Sequence, residues 1–134
     1  MTQDEILALH THKKLDMQVC VDINTTQDLA TRYTPSVALP CLEIQKNPDT
    51  IYDYTWKKDT LAIISDGTAV LWLWNIGGEA SLPVMEGKSM LFRKFGEINC
   101  IPLVLDTNDP DEIIQTIKHI SGWFGAIVLE DIAA

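Results

Sequence analysis

The apolar positions of this chain change character near residue 60. Before it they form short groups, such as Ile6-Leu7-Ala8-Leu9, without a clear pattern. After it they gather into short, dense runs separated by turn residues and charges. Leu61-Ala62-Ile63-Ile64-Ser65 has the length of a strand and ends in the turn pair Asp66-Gly67. Ala69 to Trp74 is a second run, so a hairpin closing on Asp66-Gly67 is expected. Gly77-Gly78 breaks the pattern, and Ser81 to Phe95 then reads as a long helix. Ile101 to Leu105 reads as a buried strand. Asp109-Pro110 starts a helix with Asp111 and Glu112 in its first turn, running to Ile120, and Gly125 to Leu129 is the last strand. The order from Ile101 to Leu129 is a βαβ unit, expected to set its two strands as a parallel pair. Their near-continuous apolar character fits a sheet covered on both faces.

The first half is weaker in pattern. Asp4 to Lys14 is compatible with a helix, and Met17 to Val21 with a short strand. Thr25 and Asp28 have the spacing of a capping box, and the helix they open should stop near Arg32-Tyr33, because Pro35 disfavours helical geometry at Thr34. Leu39 to Lys46 is expected to add a turn or two of helix, and Pro48 to open a short helix through Tyr54. The expected class is α/β: a small, mostly parallel sheet flanked by helices, in a single domain, for which 134 residues suffice.

Composition narrows the partners. A 46% apolar and 22% charged chain is that of an ordinary folded protein. Its net charge of −9, from 19 acidic and 10 basic residues, argues against nucleic acid or anionic membrane as partners, since both need concentrated positive charge. Three widely spaced cysteines, Cys20, Cys41 and Cys100, form neither a disulfide framework nor a zinc motif. The acidic start lacks the apolar core of a signal peptide, and no apolar run approaches ~20 residues, so a cytoplasmic protein is expected.

Three features bear on chemistry. Val84, Lys88, Leu91 and Phe95 recur at helical spacing, which puts a lysine on an apolar stripe. If that stripe faces the core, desolvation lowers the lysine pKa toward the range of a general base; at the stripe's edge, Lys88 instead reaches water. Glu130 and Asp131 directly follow a buried strand. Ligand sites of open α/β sheets lie beyond the carboxyl ends of strands, and adjacent carboxylates suit a hard cation such as Mg²⁺ or Mn²⁺; a solvated chain end is the plain alternative. Asp66 and Asp106 also follow apolar runs, where they line the same edge or cap turns. Tyr33 stands at a helix end, and alone it is expected to be an aromatic packed in the core. Trp72 and Trp74, two residues apart, would share one strand face and serve core or interface packing. Gly77-Gly78 is no phosphate-binding fingerprint, and His10 and His12 have no evident metal-ligating partners.

Taken in order, five stretches resemble the amino-terminal domain of the malic enzyme family in its compact bacterial form. They are the run from Asp28 to Ala38 containing Arg32-Tyr33-Thr34-Pro35, the run Ser65-Asp66-Gly67-Thr68-Ala69-Val70-Leu71, the run Leu82-Pro83-Val84-Met85-Glu86-Gly87-Lys88, Leu105-Asp106-Thr107, and Leu129-Glu130-Asp131-Ile132. The resemblance implies metal-dependent oxidation of malate at C2 by NAD or NADP, decarboxylation, and release of pyruvate. It implies that Lys88 is the base for the C2 hydroxyl, that Tyr33 is the acid that protonates C3 of the enolpyruvate, and that Glu130 and Asp131 are two of three carboxylate ligands to Mg²⁺ or Mn²⁺. It also implies a homodimer, and a dinucleotide-binding domain outside these 134 residues that carries the third ligand and most of the nucleotide site, so the chain is expected to be a fragment that is inactive alone.

The chain departs from the family at Trp72 and Trp74, where the family has glycines, at Ser36, where it has glycine, and at Gly78, where it has proline. The added bulk points to an altered pocket. Two alternatives follow: a relative that decarboxylates oxaloacetate or converts malate to lactate, and a domain that serves only dimerisation.

Overall fold

The computed structural model describes residues 1–133, which divide into two compact units: Met17–Lys58, and Met1–Asp16 together with the chain from Asp59 onward. The smaller unit is helical, with α2 (Thr26–Arg32), α3 (Ala38–Lys46) and α4 (Ile51–Tyr54), and none of these helices buries a residue fully. The capping box forms as expected. Thr25 Oγ1 accepts from the Asp28 N–H at 3.1 Å, and Asp28 Oδ2 accepts from the Thr25 N–H at 2.9 Å. The Thr25 hydroxyl and the Asn24 and Thr25 N–H groups hold the Asp28 carboxyl below its ordinary range. The strand expected over Met17–Val21 is not there: no ladder forms over it, and Met17 and Val19 are exposed. Alternation makes a strand only where a neighbour accepts its ladder bonds.

The larger unit holds α1 (Gln3–His10), shorter than the helix expected to reach Lys14, and all the strands. β1 (Thr60–Ser65) lies between β2 (Asn99–Val104) and β3 (Ala126–Leu129), parallel to both, with α5 (Gly78–Gly96) and α6 (Pro110–Ile120) as the connecting helices. Every residue of β1 is buried. Its period-two alternation divides the core. Leu61 and Ile63 pack with Met85 and Cys100 on the α5 side, and Ala62 and Ile64 pack with Phe124, Ile117 and Ile120 on the α6 side. Pro102 is tolerated because β2 is an edge strand, where a missing N–H breaks no ladder. The βαβ expectation needs one correction: β2 and β3 share the parallel sheet but do not pair, because β1 lies between them.

The expected hairpin is absent. Asp66-Gly67 does turn the chain, but Ala69–Trp74 forms tight turns with a single bridge between Val70 and Trp74. Gly67 is needed for a different reason. Its φ is +72°, and a Cβ there would stand 2.1 Å from the Gly77 carbonyl oxygen, while Gly67 O accepts from the Ile76 N–H at 3.0 Å. The glycines let the loop after β1 and the start of α5 pass in contact. Gly78 serves the same packing, since a Cβ on it would meet Leu105 O at 2.4 Å.

Helix α5 also presents a different face from the one its apolar spacing suggests. Gly78, Ser81, Met85 and Ser89 are buried, whereas Leu91 and Phe95 are 50% and 80% exposed. Small residues at i, i+3 and i+11 (Gly78, Ser81 and Ser89) let the helix lie close to the sheet, with Met85 at i+7 packed into the core. The serine hydroxyls are satisfied there: Ser81 donates to Gly78 O at 2.6 Å, and Ser89 bonds the Cys100 sulfur at 3.2 Å. Burial pushes the Cys100 thiol upward, so it stays protonated and inert. No helix among the described residues is long and apolar enough to cross a membrane.

Candidate active site

Strand order reverses at β1. From it the chain moves to β2 on one side through α5, then crosses to β3 on the other side through α6. Such a reversal opens a crevice at the carboxyl ends of the two strands flanking it, here β1 and β3. Glu130 and Asp131 emerge there, immediately after β3, with the Glu130 N–H bonded to Ile64 O at 2.9 Å.

Lys88 lies at the edge of α5's buried face, one position before Ser89, and its ammonium reaches this crevice. Lys88 Nζ donates to Glu130 Oε2 at 2.6 Å and to Asp131 Oδ1 at 3.2 Å. Its side chain is 28% exposed, against 36% for Glu130 and 16% for Asp131. The expectation of a lowered lysine pKa is overturned. Partial burial does disfavour the ammonium, but hydrogen bonds to Glu130 and Asp131 and their negative charges outweigh it, and hold Lys88 above its ordinary range. These carboxylates lie 42 and 43 positions away in the chain, beyond the reach of a helical stripe.

Asp131 is unusual in two respects. Its φ is +55°, in the left-handed region that side-chain-bearing residues seldom occupy. Its Oδ2 is buried without a hydrogen-bond partner. The segment around it is tied to the loop after β1. The Ala69 N–H donates to Asp131 O at 3.0 Å, and the Ala133 N–H donates to Thr68 Oγ1 at 2.7 Å. Thr68 in turn donates its hydroxyl to Asp66 Oδ1 at 2.7 Å, and its N–H bonds the same oxygen at 2.9 Å. Asp66 therefore caps its own turn, while Asp106 is exposed to solvent. Thr68 escaped the sequence reading. The Asp-Gly-Thr spacing of an Asx turn was the available signal for its bond to Asp66, and nothing local signalled its bond to Ala133.

Tyr33 belongs to the helical unit. It ends α2, donates its N–H to Leu29 O at 2.8 Å, and is 64% exposed rather than packed in a core. Trp72 and Trp74 are 78% and 74% exposed on the turn after β1, not on a strand face. Trp74 has φ +61° and Leu71 +48°, so this turn holds two side-chain-bearing residues in left-handed geometry. Among the described residues no three His, Cys, Asp or Glu side chains are grouped closely enough to hold a metal ion. Two adjacent carboxylates with one orphaned, buried oxygen fit part of a hard-cation site and no more.

A family model described as the malic enzyme N-terminal domain matches residues 10–134. The chain belongs to the malic enzyme family. A bifunctional malic/malolactic enzyme of Bacillus subtilis is 47% identical over 131 residues, covering 95% of this chain and 32% of that protein. NAD-dependent malic enzyme 1 of the same organism is also 47% identical over 131 residues, covering 98% of this chain and 30% of its own length. The crystal structure of a malic enzyme from Pyrococcus horikoshii superposes with a TM-score of 0.91 at 39% identity, over 98% of this chain and 32% of that one. The three-stranded parallel sheet with its flanking helices is thus the fold of a malic enzyme amino-terminal domain, and the α/β class read from the sequence holds. The chain spans about a third of the length of these relatives.

Proposed function

We propose that this chain forms the substrate and metal side of a malic enzyme active site, which in the whole protein oxidises malate with NAD or NADP and decarboxylates the product to pyruvate and CO₂. The observation that carries it is the convergence of Lys88, Glu130 and Asp131 at the sheet's switch point, with one Asp131 oxygen left unpartnered. Relatives named for each nucleotide support either cofactor, with the nucleotide held mainly by a domain outside these residues.

Glu130 and Asp131 supply two oxygen ligands, and a third carboxylate comes from outside this chain. A bound Mg²⁺ or Mn²⁺ would supply Lewis-acid polarisation of the substrate C2 oxygen. Lys88, whose ammonium stands 2.6 Å from Glu130 Oε2 and 3.2 Å from Asp131 Oδ1, is the side chain placed to accept the proton of the C2 hydroxyl. Tyr33 supplies the proton to C3 of the enolpyruvate. Its motif supports that role, and its exposed ring leaves the hydroxyl accessible. The protein acts in the cytoplasm as a homodimer.

A second reading has one observation in its favour, the relative named as a bifunctional malic/malolactic enzyme. The bulk of Trp72 and Trp74, exposed on the turn after β1, would accompany an altered pocket. A protein containing this chain should form pyruvate and reduced nucleotide from malate, NAD⁺ or NADP⁺, and Mn²⁺. Lactate from malate without net reduced nucleotide, or decarboxylation of oxaloacetate without malate oxidation, would select the second reading.

A further inference from the structure

We propose that Thr68, oriented by the buried carboxylate of Asp66, is a positioning residue that aims the Asp131 carboxylate at a divalent cation. This rests on the reading of Glu130 and Asp131 as metal ligands.

Asp131 has a left-handed backbone, with φ +55°, a region aspartate enters more readily than most side-chain-bearing residues. Two hydrogen bonds bracket it, and both come from the loop after β1. The Ala69 N–H binds Asp131 O at 3.0 Å, and Thr68 Oγ1 accepts from the Ala133 N–H at 2.7 Å. The hydroxyl of Thr68 has one proton, and Asp66 Oδ1 takes it at 2.7 Å. A lone pair of Thr68 is thereby left facing Ala133. Asp66 is only 5% exposed, so its own orientation is set by the turn around it. That turn has no slack, since Gly67 is pressed against the Gly77 carbonyl. The relay from Asp66 through Thr68 to Ala133 thus fixes the two peptide units after Asp131, while the last bond of β3, from Glu130 N–H to Ile64 O, fixes the residue before it.

The result is a carboxylate with Oδ1 turned to Lys88 and Oδ2 withheld from water with no donor. Lys88 engages only Oδ1, so Oδ2, buried and without a donor, is the oxygen left to meet a cation. Without the Thr68 bridge the backbone at Asp131 can relax to an ordinary conformation, which turns Oδ2 toward solvent. Partners that orient metal ligands commonly change metal affinity about 10–100-fold when removed.

The test uses Mn²⁺ and this chain, followed by water-proton relaxation, with amide hydrogen exchange read in parallel. Thr68→Val should weaken Mn²⁺ binding about tenfold and raise exchange at Ala133 and Asp131, and Thr68→Ser should restore both. Asp66→Asn, which loses the charge that anchors the hydroxyl, should fall between them. Should Thr68→Val fail to fold, Asp66→Asn and Thr68→Ser carry the same comparison. Wild-type affinity in both Thr68→Val and Asp66→Asn would overturn the positioning role alone. Failure of the wild type to bind Mn²⁺ at all would overturn the metal-ligand reading and this inference with it.

Discussion

Replacing Lys88 by alanine in a protein that carries this chain with its nucleotide-binding portion is expected to abolish malate oxidation. Removal of a general base costs on the order of 10²–10⁴-fold in turnover, and here the same side chain also bridges Glu130 and Asp131 and offsets one of their two negative charges. The fold should survive, because Lys88 is at the edge of α5's buried face and contributes nothing to either core cluster. Steady-state turnover with malate, beside a thermal melt, separates the two effects. Near-normal turnover would show that Lys88 is only an electrostatic clamp for the two carboxylates.

Ile63→Ala is the substitution with the largest expected effect on stability. Ile63 is fully buried in the middle of β1, with a strand on each side and Met85 of α5 above it. A central strand hydrogen-bonded along both edges cannot move in to fill the space left. Such truncations cost about 2–5 kcal/mol, a large part of the roughly 5–15 kcal/mol that holds a typical domain folded. Urea denaturation followed by circular dichroism measures it. A loss under about 1 kcal/mol would mean that the β1 core repacks far more freely than its interlocked register implies.

These two residues also mark where the sequence was legible. The apolar runs at Leu61–Ser65, Ile101–Leu105 and Gly125–Leu129 coincide closely with the three strands, yet only β1 is buried throughout, as a strand covered on both faces must be; β3 leaves Ala126 and Leu129 exposed. The order of strands is a different kind of information. Nothing in a βαβ run says that an earlier strand, β1, will lie between its two strands. The hairpin expectation failed similarly: Asp66-Gly67 is a turn pair in either structure, and only the contact with Gly77, ten residues on, shows which turn it serves.

The site was legible for a partly mistaken reason. Apolar spacing placed Lys88 on a core-facing stripe, yet α5 buries Gly78, Ser81, Met85 and Ser89. Small and hydroxyl-bearing residues do not register in an apolar pattern, so the true face was invisible and the neighbouring one was read instead. Lys88 matters because it stands next to that face and reaches the end of β3. Glu130 and Asp131 were found by a topological rule that needs only a strand followed by carboxylates. Thr68 needed three-dimensional contacts, since its partner Ala133 lies 65 positions away.

The most direct measurement of the central claim is a Mn²⁺ titration of this chain beside Glu130→Gln and Asp131→Asn. Two carboxylates without the third should bind Mn²⁺ weakly, and each substitution should remove the binding that remains. Unchanged binding in both variants would contradict the assignment of Glu130 and Asp131 as ligands, and a micromolar dissociation constant for the wild type would contradict a site that this chain completes only in part.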